Sequence, residues 1–144
     1  GARLTIGSGR FPDNPATRTS ITVNQDLRYT KYDGTDIIGL IAQNNFNIGL
    51  VSNDTLRIDA ALIAQNGRVG RYYYPSGCAP YTVRQKLTSY GTIMTNLRYG
   101  FAYTDGTGYQ IRELVYDGNL LYNPPPEAPQ SSDQYAPISW EEIR

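Results

Sequence analysis

At 144 residues the chain is long enough for one domain with a real core, and 13 Lys and Arg against 13 Asp and Glu leave no net charge. That balance gives no global basicity for nucleic acid and no acidity for a disordered tail, and the absence of histidine removes the commonest general base and metal ligand. Thirteen tyrosines, 14 glycines and 9 prolines favour strands and turns over helices, so the expected class is all-β.

Leu4, Thr5 and Ile6 alternate like a short strand, and residues 7–15, with two glycines before Arg10 and two prolines after it, read as a loop. The pair Gly7 and Gly9 lacks the following helix and the Lys-Ser/Thr of a phosphate loop. Residues 20–29 alternate well enough for a strand or two. After a turn at Asp33-Gly34, residues 36–42 form a nearly continuous apolar run, the pattern of a strand covered on both sides. Residues 56–60 alternate strictly, and residues 109–116 alternate in part.

One pattern recurs through the middle of the chain. Leu40-Ile41-Ala42-Gln43-Asn44, Leu62-Ile63-Ala64-Gln65-Asn66 and Thr92-Ile93-Met94-Thr95-Asn96 each lead to a glycine, with the isoleucines at 41, 63 and 93, steps of 22 and 30 residues. Repeats this short must stack to share a core. The step of 22 residues fits three strands of about five residues with short turns, so the expected architecture is a β-solenoid, parallel β-helix-like, over residues 1–122. Loop 71–81 takes up the longer second step. Ile41, Ile63 and Ile93 are expected inside. Asn44, Asn66 and Asn96 are expected as a ladder at a corner, where asparagine tolerates left-handed backbone. Residues 123–144 read as a proline-rich extended tail, Pro124 to Pro126 being unable to join a sheet interior, with Trp140 docking as a cap on the open end.

No catalytic constellation stands out, and a non-enzymatic role is expected. Glu141 and Glu142 are adjacent, so in a strand they face opposite ways and cannot act as an acid and base pair. Asp33, Asp36 and Asp105 offer oxygens to calcium, yet two carboxylates within four residues fall short of a full shell, so neither metal nor cofactor is expected. The sharper signal lies between positions 60 and 104, which hold no acidic residue. Arg68, Arg71, Arg84, Lys86 and Arg98 are interleaved there with Tyr72, Tyr73, Tyr74, Tyr81, Tyr90 and Tyr99, a mixture suited to phosphates and to stacking on rings. Arg68, Arg71, Tyr72, Tyr73, Tyr74, Arg84, Lys86 and Arg98 are thus the candidates for binding a polyanion, DNA first. The acidic end of the chain is expected to fold back near this middle. Cys78 is the only cysteine and forms no disulfide within the chain.

Residues 56–74, Tyr90-Gly91-Thr92-Ile93, Tyr99-Gly100-Phe101, Leu120-Leu121-Tyr122-Asn123-Pro124-Pro125-Pro126 and Ser139-Trp140-Glu141-Glu142 resemble the C-terminal region of PilX-type, pilus-assembly-associated bacterial proteins, which are minor-pilin-like. The likeness covers about residues 33–144. It implies a place at the cell surface, outside the cytoplasmic membrane and near a type IV pilus, with pilus subunits, other surface proteins, DNA or polysaccharide as partners. It offers no catalytic residues to carry over. The family's anchoring helix is not in this sequence, and Gly1-Ala2-Arg3 reads as the cut end of a longer chain, so membrane attachment is implied for the parent protein alone. A structural or adhesive role follows as the expectation, with a polyanion receptor as the alternative and a polysaccharide-cleaving enzyme behind it.

Overall fold

The computed structural model describes residues 1–128. Eight strands run β1 Arg3–Ser8, β2 Ile21–Val23, β3 Ile37–Ala42, β4 Phe46–Ile48, β5 Thr55–Ala64, β6 Val69–Arg71, β7 Val83–Thr95 and β8 Gly108–Tyr116. They form a five-stranded sheet, β1-β3-β5-β7-β8, and a three-stranded sheet, β2-β4-β6, and neighbours in both are parallel.

This corrects the expected β-solenoid. Three strands per step would close a three-sided coil; the chain instead lays down one long and one short strand in each of its first three steps and then β7 and β8, and two open sheets face each other. The reason is local. Nothing between Asp59 and Leu62 can turn the chain, so the alternating residues 56–60 and the apolar run behind them make one strand of 10 residues. β7 likewise runs unbroken for 13 residues. The connections that a third wall would need, residues 49–54 and 72–82, hold turns and a short 3-10 helix, Ser76–Cys78.

Parallel strands turn alternate residues to opposite faces. In β5 the face of Leu56, Ile58, Ala60, Leu62 and Ala64 belongs to a buried cluster with Phe46, Ile48 and Val69 of the small sheet, so the core lies between the sheets. The first two repeats pair in register, Leu40 with Leu62 and Ile41 with Ile63. The third is displaced by one: Ile93 pairs with Leu62, and Met94 with Ile63. Ile93 therefore joins the leucine column against the core, whereas Met94 is 48% exposed on the other face. A slip of one residue would have turned Ile93 outward, and burial of its β-branched side chain decides the register.

The outer face of the large sheet is covered near its middle, which accounts for the unbroken apolar run of β3. Asp59, fully buried, accepts hydrogen bonds from Tyr29 N (3.0 Å), the Tyr32 hydroxyl (2.6 Å) and Arg57 Nε (2.8 Å). The rings of Tyr29, Tyr32 and Tyr90 pack around it with centroids 5.3 to 6.1 Å apart. Past β8 the chain returns over this face: Arg3 Nη2 donates to Pro124 O at 2.8 Å, Thr5 Oγ1 donates to Pro126 O, and Pro125 lies over Gly39 so closely that a Cβ there would meet it at 2.7 Å. The first residues of the proline tail thus pack on β1 and β3; Trp140 and its capping role lie outside the described residues.

The asparagines meet the chain differently from a side-chain ladder. Asn66 Nδ2 donates to the Gln43 carbonyl (2.7 Å) and Asn96 Nδ2 to the Asn66 carbonyl (3.2 Å), so each amide ties its corner to the backbone of the preceding step. Asn44, Asn66 and Asn96 all keep negative φ, glycines aside only Glu127 being positive among the described residues.

Replacing Leu62 by Ala should cost about 2–5 kcal/mol in urea unfolding, by lost burial and a cavity, and Met94→Ala about 0.5 kcal/mol or less. Gly91→Ala should be the more severe backbone lesion, because φ there is +141° and a Cβ would stand 2.1 Å from Ala60 O; its melting temperature measures the effect.

Candidate functional site

Folding sorts the basic residues of the middle segment into two groups. Arg71, at the end of β6, is buried, 1% exposed. Its Nη1 donates to the Gly49 carbonyl and to Ser52 Oγ (2.9 Å), and its Nη2 to Leu50 O (3.1 Å) and Tyr81 O (2.6 Å). The rings of Tyr74 and Tyr109 flank it, 4.8 and 5.8 Å from the guanidinium carbon. Burial pulls its pKa down from the usual arginine range. Arg84 is 9% exposed, donates to Leu50 O at 3.3 Å and lies over the Tyr81 ring. Lys86 pairs with Glu113 at 2.9 Å, so part of the acidic end does lie beside the basic middle. Glu113 is held below the ordinary carboxylate range by that hydrogen bond. These three cations are committed to the fold.

Arg68 and Arg98 are not. They line a cleft of about 630 Å³ together with Arg112, Tyr99, Tyr103 and Leu114, and no carboxylate lies among its walls. Arg68 enters from just before β6, half-buried, its Nη2 donating to the Tyr103 hydroxyl and to Arg71 O, both at 3.2 Å. The Tyr72 ring lies 5.4 Å beneath its guanidinium carbon. Arg98 stands exposed on the segment between β7 and β8. Arg112 projects from β8 and donates through Nη1 to Tyr109 O and Gln110 O. Among the described residues none of the three has a carboxylate at salt-bridge distance. Their fields therefore add across the cleft without local neutralisation.

Two glycines position the far wall. Gly70 of β6 bridges to Gly100, and a Cβ on Gly70 would stand 2.4 Å from Gly100 O. Gly108, at φ +88°, would place a Cβ 2.4 Å from Phe101 O, where residues 102 and 108 make an antiparallel bridge. The segment carrying Arg98, Tyr99 and Tyr103 is thereby pressed against β6 and folded back on β8.

The tyrosine candidates divide similarly. Tyr72 and Tyr73 are 43% and 52% exposed, Tyr72 accepting from Asn45 Nδ2 and Tyr73 packing edge-on against Tyr103; Tyr74 covers Arg71. Arg112 was missed because residues 109–116 were read for strand alternation only. Its signal was its place as the one basic residue of that strand.

The carboxylates considered for calcium are engaged by protein donors. Asp36 accepts from Ala2 N (2.6 Å), Thr30 N and Lys31 N (2.8 Å each), bonds that hold its carboxyl below the usual carboxylate range. Asp33 and Asp105 make matching turns, each accepting through Oδ1 from the hydroxyl and the N–H of the threonine two positions on, and each is held low by those bonds. These bonds engage Oδ1 of Asp33 and of Asp105 and both oxygens of Asp36.

No protein-family model matches this chain, and comparison with curated proteins and with solved structures returns no match. Among the described residues no helix is long and apolar enough to cross a membrane.

The tyrosine cluster makes a prediction in base. Burial pushes the Tyr29 hydroxyl up to about 12 from its ordinary 10. Below pH 10 the phenol is neutral in both states and its contribution is complete; as pH rises from 10 towards 12 it ionises first in the unfolded chain, and stability is lost. Chemical denaturation across that window should show a decline that Tyr29→Phe flattens.

Proposed function

We propose that the chain is a structural or adhesive surface domain that catalyses no reaction and engages a polyanion through the cleft between Arg68, Arg98 and Arg112. One observation carries the reading: three guanidinium groups that have no carboxylate partner among the described residues converge, beside Tyr99 and Tyr103, on a cleft of about 630 Å³ with no acidic wall among those residues. Guanidinium groups match carboxylate, phosphate and sulfate oxygens in pairs, and neighbouring rings take the flat faces of bases or sugars. On a neutral chain this is a local field, suited to docking a partner. The setting at the cell surface, near a type IV pilus, rests on the resemblance of residues 33–144 to pilus-assembly-associated proteins.

Heparin and a single-stranded thymidine oligonucleotide test the cleft. Binding to the full chain should weaken as salt rises, and Arg98→Glu with Arg112→Glu should reduce affinity roughly tenfold or more at low salt. Both residues are exposed, so the double variant should melt like the parent. Absence of binding by the parent, or equal binding by the variant, would refute the reading.

A further inference from the structure

Like β1 at the opposite edge of the large sheet, β8 has a strand on one side and, among the described residues, none on the other. Beyond the bridge of Gly108 to Ala102, β8 pairs among the described residues with β7 alone, and residues 110–116 are all exposed. Pairing with β7 runs in one register from Val83 with Gly108 to Gly91 with Tyr116. An edge of this kind presents a row of backbone donors and acceptors to any chain that can lie alongside. Proteins usually blunt such an edge with proline, a bulge or charge; β8 has neither proline nor bulge, and its charges are Arg112 and Glu113, the latter met by Lys86.

Its side chains explain what could lie there. Arg112, Leu114 and Tyr116 share the face that continues the core side of β7, as the pairing of Leu87 with Arg112 and Ser89 with Leu114 fixes. On this face a smaller groove of about 260 Å³, lined by Ile93, Leu114, Tyr116 and Tyr99, adjoins the arginine cleft, the two sharing Tyr99 and Leu114. The opposite face of β8 shows Ile111 and Val115, 51% and 46% exposed, around Glu113, whose charge Lys86 already meets. Apolar surface therefore flanks the edge on both faces, and net positive charge stands on one.

We infer that β8 is a docking edge for an extended acidic peptide segment of a partner protein, added as a further strand beside residues 111–116. Side chains on one face of the incoming strand would carry carboxylates to Arg98 and Arg112 beside Leu114 and Tyr116, and the alternate, apolar side chains on its other face would cover Ile111 and Val115. Two features favour a peptide over a nucleic acid or a glycan. A phosphodiester or sugar chain held in the arginine cleft would contact one face only, leaving Ile111 and Val115 bare. A strand, in addition, satisfies the backbone row that no described residue meets. The inference rests on the cleft being an anion site and names the partner for it.

The test uses the full chain and a fluorescein-labelled octapeptide of alternating glutamate and valine, followed by anisotropy at low salt. Saturable binding is expected, weakened at least tenfold by Arg98→Glu with Arg112→Glu, and weakened to a similar degree when alternate peptide nitrogens are methylated, which removes strand pairing and leaves the charge unchanged. Amide exchange should show new protection within residues 111–116. If the methylated peptide binds as tightly, or protection is absent there, the strand inference is overturned. Should heparin bind the parent and not the double variant while the peptide fails to bind, the inference falls and the polyanion reading stands. If neither heparin nor peptide binds, both fall.

Discussion

A parallel ladder has a period of two, and in this chain that period is the constraint on which the rest depends. β3, β5 and β7 must present Leu40, Leu62 and Ile93 to one side, because the small sheet offers Phe46, Ile48 and Val69 on that side, and Ile41 and Ile63, expected inside, fall on the other face. Once Leu40, Leu62 and Ile93 are aligned, every other residue of the large sheet is assigned to a face. Asp59 falls on the outer face, where only full satisfaction of its oxygens by Tyr29, Tyr32 and Arg57 makes burial tolerable. The same assignment turns Arg112 and Leu114 towards the cleft. Site and core thus share one register.

Parallel strands and the alignment of the first two repeats were legible because they rest on local pattern: apolar runs, glycines and recurring spacing. The direct pairing of Leu40 with Leu62 follows the repeat as written. The number of walls was not legible. Spacing of 22 residues is met equally by three short strands or by one long strand, one short strand and irregular connections, and only the absence of a turn at Asp59 to Leu62 separates them. The displacement of the third repeat was hidden as well, since Ile93 and Met94 are both apolar and the choice between them is made by what packs opposite.

For the site, composition located the basic stretch and could not rank its members. Charge along a sequence carries no information on solvation, and here Arg71 and Arg84 become interior groups, Lys86 an ion pair, and Arg68 and Arg98 cleft walls. Arg112 reaches the same cleft from an otherwise acidic region because β8 lies beside β7. An interior arginine and a binding arginine look alike in sequence; the difference is exposure, Arg71 and Arg84 being buried, Arg68 half-buried, and Arg98 and Arg112 exposed.

Arg71 shows what such a claim does to the connections. Its acceptors come from two separate stretches, residues 49–52 between β4 and β5 and Tyr81 ahead of β7, and Tyr109 of β8 ties in through Ser52. If either connection lifted away alone, a buried cation would keep the other and lose three of its four acceptors or one of them, an arrangement costlier than the intact one. Neither therefore opens independently. Two surface segments that are far apart along the backbone and outside any sheet behave as a single cooperative unit, and the sheets' irregular third side acquires, from one side chain, the all-or-none character that regular hydrogen bonding gives the strands.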